Sequence, residues 1–557
     1  MPLLSLTLLF APALATVPDM YGEGPAAIGM GNAVTAIADN PFAAFYNPAG
    51  LGQISHPTLS VSEIYGQVDL RGFNDIVYDT NADGKLTDAD GNPDSGEVGA
   101  DYNMRSGEGP DPFYVQGSQV GAAFPILDQW LRDQNNAVLK NLRVTLGIAA
   151  YLPSSSTLRM QMQDPYMPYY VMYRNRNDRF ALHPGLGVHL FRGVYLGAGA
   201  QMMFKTVINV RVSATTTADS FPSEDDPDTE DVQVVVETQV EDMVLDLQPA
   251  FSPTFGFLFR PNELLMRDGK VGSVLDHTAF GLSYRHSWKM NTSADVLAVA
   301  NGEVTFDDQT ILLSSLLEEP VHIQLEDMVA LFNPPVLSLG VRSGFDIGPN
   351  KQGSVDFSAD ALLTQWSQFT ETTAPYSEMQ VNAVAGTSVN VLVGSDYGDP
   401  NFKDTWTLRL GGQWSRCWTR CDPNDLESNK AGFGTTVRAG YSFVPSPVPD
   451  QVGLTNYMDS DRNVYTAGLG FQVMNRGVGP IRFDVGAQYH QLNTRTVYKD
   501  DNLLADADGD GNIDYTRGTP LSGSITSAGN SWAVNAGLEV YFGASPRAIS
   551  KRSGRTE

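Results

Sequence analysis

Stretches in which apolar side chains alternate with polar or small ones recur from residue 56 to residue 542, separated by turn residues. Val194, Leu196, Ala198, Ala200, Met202 and Phe204 form one face of such a stretch, and Gly197, Gly199 and Gln201 the other. Tyr465, Ala467, Leu469, Phe471 and Val473 alternate with Thr466, Gly468, Gly470 and Gln472. Ile481, Phe483, Val485, Ala487 and Tyr489 alternate with Arg482, Asp484, Gly486, Gln488 and His490. This period-two order puts one face of each strand in lipid and the other toward a polar lumen. A soluble β-sandwich shows the same order strand by strand, but hiding so many apolar faces without lipid would require a second sheet of matching size.

The pattern predicts fourteen strands, near 56–69, 112–124, 140–151, 178–190, 193–207, 247–259, 277–290, 336–346, 353–366, 405–416, 432–443, 463–474, 480–493 and 530–542. Connections after odd-numbered strands are mostly long and those after even-numbered strands generally shorter, as in an outer-membrane barrel with extracellular loops and periplasmic turns. The expected fold class is therefore all-β, an antiparallel transmembrane barrel of about 14 strands with both termini on the periplasmic side. Trp406 and Trp414 lie on one face, with Leu408 and Leu410 between them and Arg409 and Gln413 on the other. Eight residue steps at a tilt of about 40° separate the indoles by about 20 Å along the membrane normal, the spacing of two aromatic girdles. The last strand carries Trp532, Val534, Ala536, Leu538, Val540 and Phe542 on its apolar face.

Composition narrows this picture. Past residue 15 no apolar run approaches the roughly 20 residues of a spanning helix. Residues 1–15 end in Ala13-Leu14-Ala15 and read as a signal peptide without a basic n-region. Residues 16–55, rich in Gly, Ala, Pro and Asn, do not alternate and can pack irregularly inside a lumen. Residues 543–557, with Arg547, Lys551, Arg552 and Arg555, read as a disordered periplasmic tail. The formal charge of −28 argues against a nucleic-acid partner. The two cysteines, Cys417 and Cys421, are close enough to close one small disulfide loop. Histidines such as His183, His189, His277 and His286 are scattered along strands, and no nucleophile elbow or metal-binding pair appears, so an enzyme is not expected.

Gly29-Met30-Gly31-Asn32-Ala33, Ala36-Ile37-Ala38-Asp39-Asn40-Pro41 and Tyr46-Asn47-Pro48-Ala49-Gly50-Leu51 resemble the opening of the FadL/TodX (OmpP1) family of hydrophobic-compound transporters. Ala359-Asp360, Trp366-Ser367, Arg438-Ala439-Gly440-Tyr441-Ser442, Pro445-Ser446-Pro447-Val448-Pro449 and Asp461-Arg462 extend the resemblance along the chain. It implies a hatch at 16–55 inside a barrel at 56–542, in the outer membrane of a Gram-negative bacterium. It also implies passive uptake of long-chain fatty acids or aromatic hydrocarbons, with release sideways where the third strand kinks. Phe42, Phe45, Tyr46, Asn47, Pro48 and Ala49 are the candidate hatch and substrate residues; packing of the inner segment against the wall is the other reading of Phe42, Phe45 and Tyr46. Leu152, Pro153, Ser154 and Ser155 are the candidate lateral gate, since proline removes a ladder donor; the end of the strand before an external loop is the other reading of Pro153. Related barrels that serve secretion or scaffolding, binding a protein partner, share the opening motif and form the alternative.

Two long connections carry calcium-loop patterns. The first contains Asp79, Asn81, Asp83, Lys85 and Asp90, the second Asp506, Asp508, Asp510, Asn512 and Asp514. Calcium is the expected ion there, with no organic cofactor. Thr310-Ile311-Leu312-Leu313-Ser314-Ser315-Leu316-Leu317 suggests a short amphipathic helix offering leucines at the mouth. The remaining expected partners are the hydrophobic substrate, outer-membrane lipid and lipopolysaccharide, and the barrel-assembly machinery, around a monomer.

Overall fold

The computed structural model describes residues 17–78, 86–87, 92–98, 113–126, 142–154, 167–173, 180–203, 206–218, 233–247, 250–265, 277–290, 292–306, 309–312, 321–325, 331–348, 352–369, 377–383, 387–393, 401–419, 432–475, 479–504 and 515–542. The expected signal peptide and the tail after Phe542 lie outside these residues. Among them, no helix is long and apolar enough to cross a membrane.

Fourteen strands close into one antiparallel barrel in which each pairs with its neighbours in sequence and the last pairs with the first. They are β1 (Thr58–Leu70), β2 (Phe113–Ile126), β3 (Arg143–Pro153), β4 (Ala181–Phe191), β5 (Val194–Met203), β6 (Ala250–Phe259) and β7 (Ala279–Arg285). The second half comprises β8 (Val336–Ile347), β9 (Gly353–Thr364), β10 (Thr405–Thr419), β11 (Gly432–Val444), β12 (Arg462–Asn475), β13 (Gly479–Tyr498) and β14 (Ser524–Tyr541). All fourteen fall where the alternation predicts them. The seam between β1 and β14 runs in one register from Thr58–Tyr541 to Leu70–Gly529. Closure leaves no sheet edge to face lipid, where an unpaired backbone group costs several kcal/mol.

The side chains obey the same alternation. Trp406, Leu408, Leu410 and Trp414 are exposed on the outer wall, as are Tyr465, Leu469, Phe471 and Val473, while Thr407, Arg438, Thr466, Asp484 and Gln488 are buried toward the lumen. Tyr65 stacks with Tyr114 at 6.0 Å and lies 5.8 Å from Trp532, an aromatic cluster toward the long-loop end.

The long connections are more ordered than the alternation suggests. Strands Thr206–Ala218 and Gln233–Leu247, Thr292–Phe306, Gln309–Leu312 and Val321–Leu325, and Ser377–Ala383 and Thr387–Val393 assemble into one seven-stranded sheet. Three loops, after β5, β7 and β9, thus share it. Thr310, Ile311 and Leu312 pair with Thr305, Val304 and Glu303, so this part of the expected amphipathic helix is strand; residues 313–317 lie outside the described residues. The ladder satisfies backbone groups that a short helix would leave unpaired at both ends. β13 and β14 also run past the expected 493 and 530, pairing from Arg495–Ser527 to Tyr498–Ser524 beyond an irregularity after Leu492.

Residues 17–54 lie inside the barrel as short helices α1 (Val17–Tyr21), α2 (Pro25–Gly29) and α3 (Ala43–Tyr46) and a 3-10 turn, Pro48–Gln53. Hydrogen bonds tie this segment to walls around the lumen. Gln488 of β13 donates to Tyr21 O at 2.9 Å, Thr466 of β12 to Gly29 O at 3.2 Å and Ser442 of β11 to Gly31 O at 2.9 Å. On other sides, Gln119 of β2 accepts from Gly24 N at 2.8 Å and Asp360 of β9 accepts from Thr35 N at 2.9 Å and Thr35 Oγ1 at 2.7 Å. Thr145 of β3 donates to Ile54 O at 3.0 Å.

Candidate functional site

The Asn47-Pro48-Ala49 step explains how the inner segment is seated. Asn47 Nδ2 donates to Thr35 O at 2.8 Å and to Phe257 O of β6 at 3.2 Å, while its Oδ1 accepts from Ala49 N at 3.1 Å and caps the 3-10 turn. Pro48 and Ala49 lie where a Cβ on Gly197 of β5 would collide with their backbone, so that wall position admits only glycine. Phe42 is buried beside Gly24 and Gly121. These four residues hold the segment to the wall.

Phe45 and Tyr46 instead line a cavity of about 60 Å³ above the segment, with Asp19, Arg285 and Arg409. Phe45 packs edge-on against Tyr46 at 4.9 Å and His183 at 5.1 Å. The Tyr46 hydroxyl accepts from Glu23 N at 2.8 Å and donates to Asn32 Oδ1 at 2.8 Å, and burial holds its pKa above the usual phenol range. A second cavity of about 110 Å³ shares Asp19, Arg285, Val336, Leu362 and Arg409, and adds Trp366, Asp459 and Arg462. Three guanidinium groups therefore meet in the upper lumen. Arg285 Nη2 pairs with Asp19 Oδ1 at 2.7 Å and Arg462 Nη1 donates to the Tyr173 hydroxyl at 3.3 Å. Arg409 Nη1 donates to the backbone oxygen of Asn32 at 3.3 Å. Burial pushes the Asp459 carboxyl up, against the pull of Arg462.

Above these cavities lies a buried apolar cluster that includes Tyr169, Tyr170, Tyr173, Trp366, Phe369, Phe402, Tyr457 and Met458. Below the inner segment the lumen changes character. A cavity of about 370 Å³ is lined by His277, Asp346, Ser354, Gln413, Ser415, Thr436, Arg438, Gln472 and Arg482 among others. His277 binds Asp356 at 2.7 Å and Asp346 at 3.0 Å, and the Asp356 contact, aided by Asp346, raises its pKa. Arg342 and Gln413 also donate to Asp356, and Arg438 and Arg482 clamp Asp484 at 2.8 and 2.6 Å. An apolar chain finds little to solvate it there.

At the third strand, Pro153 stays in the ladder opposite Gly117 of β2, and Ser154 N donates to Gln116 O at 3.1 Å. On the other side, the last β3–β4 pair among the described residues is Tyr151–Ala181, so Leu152 and Pro153 lie beyond it. Leu152 faces outward and is exposed. Ser155 lies outside the described residues, as do Asp79, Asn81, Asp83, Lys85, Asp90, Asp506, Asp508, Asp510, Asn512 and Asp514. No cluster of metal-binding side chains occurs among the described residues. Cys417 is disulfide-bonded, and Cys421, the other cysteine of the chain, lies outside the described residues.

Sequence reasoning placed Arg409 inward but missed its meeting with Arg285 and Arg462. Each sits on a different strand or strand end, and only barrel closure brings them together.

Residues 269–538 match the family model described as outer membrane protein transport protein (OMPP1/FadL/TodX). No curated protein matches the chain. Among solved structures, a Pseudomonas aeruginosa FadL homologue is 15% identical, with 96% of this chain and 99% of that chain covered and a TM-score of 0.47. The Ralstonia pickettii toluene transporter TbuX is 12% identical, over 94% and 100% of the two chains, with a TM-score of 0.40. The Pseudomonas putida toluene transporter TodX is 12% identical over the same shares, with a TM-score of 0.41. The family match spans β7 to β14 of a closed fourteen-stranded barrel, so the chain, a multi-pass outer-membrane β-barrel, is similar over that stretch to the OMPP1/FadL/TodX family of outer-membrane transport proteins.

Proposed function

We propose that this barrel takes up amphipathic acids of the long-chain fatty-acid type and releases them sideways into the membrane. The observation that carries the reading is the meeting of Arg285, Arg409 and Arg462 beneath an aromatic cluster and above the inner segment. A hydrocarbon tail gains about 0.8 kcal/mol per CH₂ on leaving water, which the aromatic cluster can supply, and a carboxylate needs a cation in the same place. Arg409 is the best seat for it, because its hydrogen bond among the described residues goes to a backbone oxygen and not to a carboxylate.

The cavities of about 110 and 60 Å³ are smaller than the roughly 300 Å³ at which ligand pockets begin, so α1, whose Asp19 lines both, must move to admit a substrate. The inner segment then acts as a hatch. Straight descent would take the tail through the charged lower cavity, whereas the end of the β3–β4 ladder at Tyr151 leads to lipid without that cost.

Binding of dodecanoate and of toluene to detergent-purified protein tests the head-group seat. Arg409→Gln should weaken dodecanoate about tenfold or more, as expected for loss of a charged hydrogen bond, and leave toluene unchanged. Equal effects on both, or none, would assign the arginines to structure alone.

A further inference from the structure

On the outer wall of β1, Leu59, Val61 and Tyr65 face lipid, and the outward position between Val61 and Tyr65 is held by a carboxyl group, Glu63. Glu63 accepts from Ser118 Oγ of β2 at 2.6 Å and from Ser154 Oγ, one residue past β3, at 3.1 Å. Glu63 pairs with Ser118 and Ser118 with Leu152, so one row crosses three strands. The row ends just beyond the last β3–β4 pair, Tyr151–Ala181. At about 4.8 Å per strand, Glu63 stands about 10 Å from the axis of β3. It lies two residues below Tyr65 of the aromatic cluster, which places it about 5 Å inside the apolar band.

The chemistry of this trio is one-sided. As a carboxylate, Glu63 takes both serine hydrogens, which leaves oxygen lone pairs on all three residues and no donor. A molecule bound there must supply the hydrogen. Within lipid, the groups that can do so on an otherwise apolar molecule are the O–H of an alcohol, a phenol or a carboxylic acid that has taken up a proton on leaving water. A plain hydrocarbon offers none.

We propose that Glu63, Ser118 and Ser154 form an acceptor site on the lipid-facing wall that receives the hydroxyl end of an amphipathic substrate as it leaves the lumen beside β3. The site rests on the sideways-release reading given above. It gives a polar head somewhere to pause between the arginines of the lumen and the head-group region of the membrane, and it favours molecules with one O–H end.

Whole-cell uptake of radiolabelled dodecan-1-ol and dodecane, at matched expression and with heat-modifiability on gels as the folding control, tests it. Glu63→Leu and Ser118→Ala should each slow dodecan-1-ol about fivefold, the effect of one lost hydrogen bond, and leave dodecane unchanged. Equal slowing of both probes would make the trio a brace for the end of β3, and no slowing of either would remove it from the route; both results overturn the proposal. A resident lipid retained by the parent and lost from Glu63→Leu in native mass spectrometry, with uptake unchanged, would also overturn it. Pro153→Val separates the two readings. If it leaves both probes unaffected, sideways release itself fails; if it slows both while Glu63→Leu slows neither, the route stands and this site falls.

Discussion

His277 shows how a single side chain ties the short-turn rim to pH. Its two ring nitrogens face Asp356 and Asp346, and the raised pKa means that the folded state holds the proton more tightly than the unfolded chain. Stability from this contact is complete below the ordinary imidazole value of about 6.5 and is lost as pH rises through the raised one. His277→Ala should therefore lower the melting temperature at pH 5.5 and have little effect at pH 9, as read by circular dichroism; a pH-independent loss would assign the residue to packing. Asn47-Pro48-Ala49 stood out in the sequence through its resemblance to the family opening, and the structure adds a local reason for its geometry, a capping asparagine followed by proline at the first position of the turn. The arginine cluster was not legible. Arg285 and Arg462 occupy strand ends, where a lone arginine reads the same whether it reaches for water or for a ligand.

At the level of elements, all fourteen barrel strands could be read because lipid outside and a filled lumen inside impose period two on each. The loop sheet could not be read that way. Gln233–Leu247 has the β-branched richness of a strand, yet its partners come from loops far along the chain, and local pattern carries no record of such pairing. β3 is the element on which the proposed sideways release turns. Pro153 keeps its place opposite Gly117 while, among the described residues, the last pair toward β4 is Tyr151–Ala181. Val at Pro153 restores a donor and a β-branched shape, so Pro153→Val should slow uptake of dodecanoate with barrel assembly intact; an unchanged uptake rate would show that the strand end is no exit.

For the molecule as a whole, the inner segment and the barrel are one folded unit, with hydrogen bonds from 17–54 to strands on every side. Gly197→Val places a side chain where the Pro48–Ala49 backbone now lies. It should dislodge the segment and raise leakage of small polar solutes through a barrel that remains heat-modifiable; a tight barrel would show that the segment does not seal the lumen. The seven-stranded sheet shared by the loops after β5, β7 and β9 has its own consequence for engineering and for divergence among relatives. Three surface loops that would ordinarily vary one at a time are hydrogen-bonded neighbours. Replacing one with the corresponding loop of another transporter leaves the others with unmatched ladders, so chimaeras should work when the three are exchanged together and fail when they are exchanged singly.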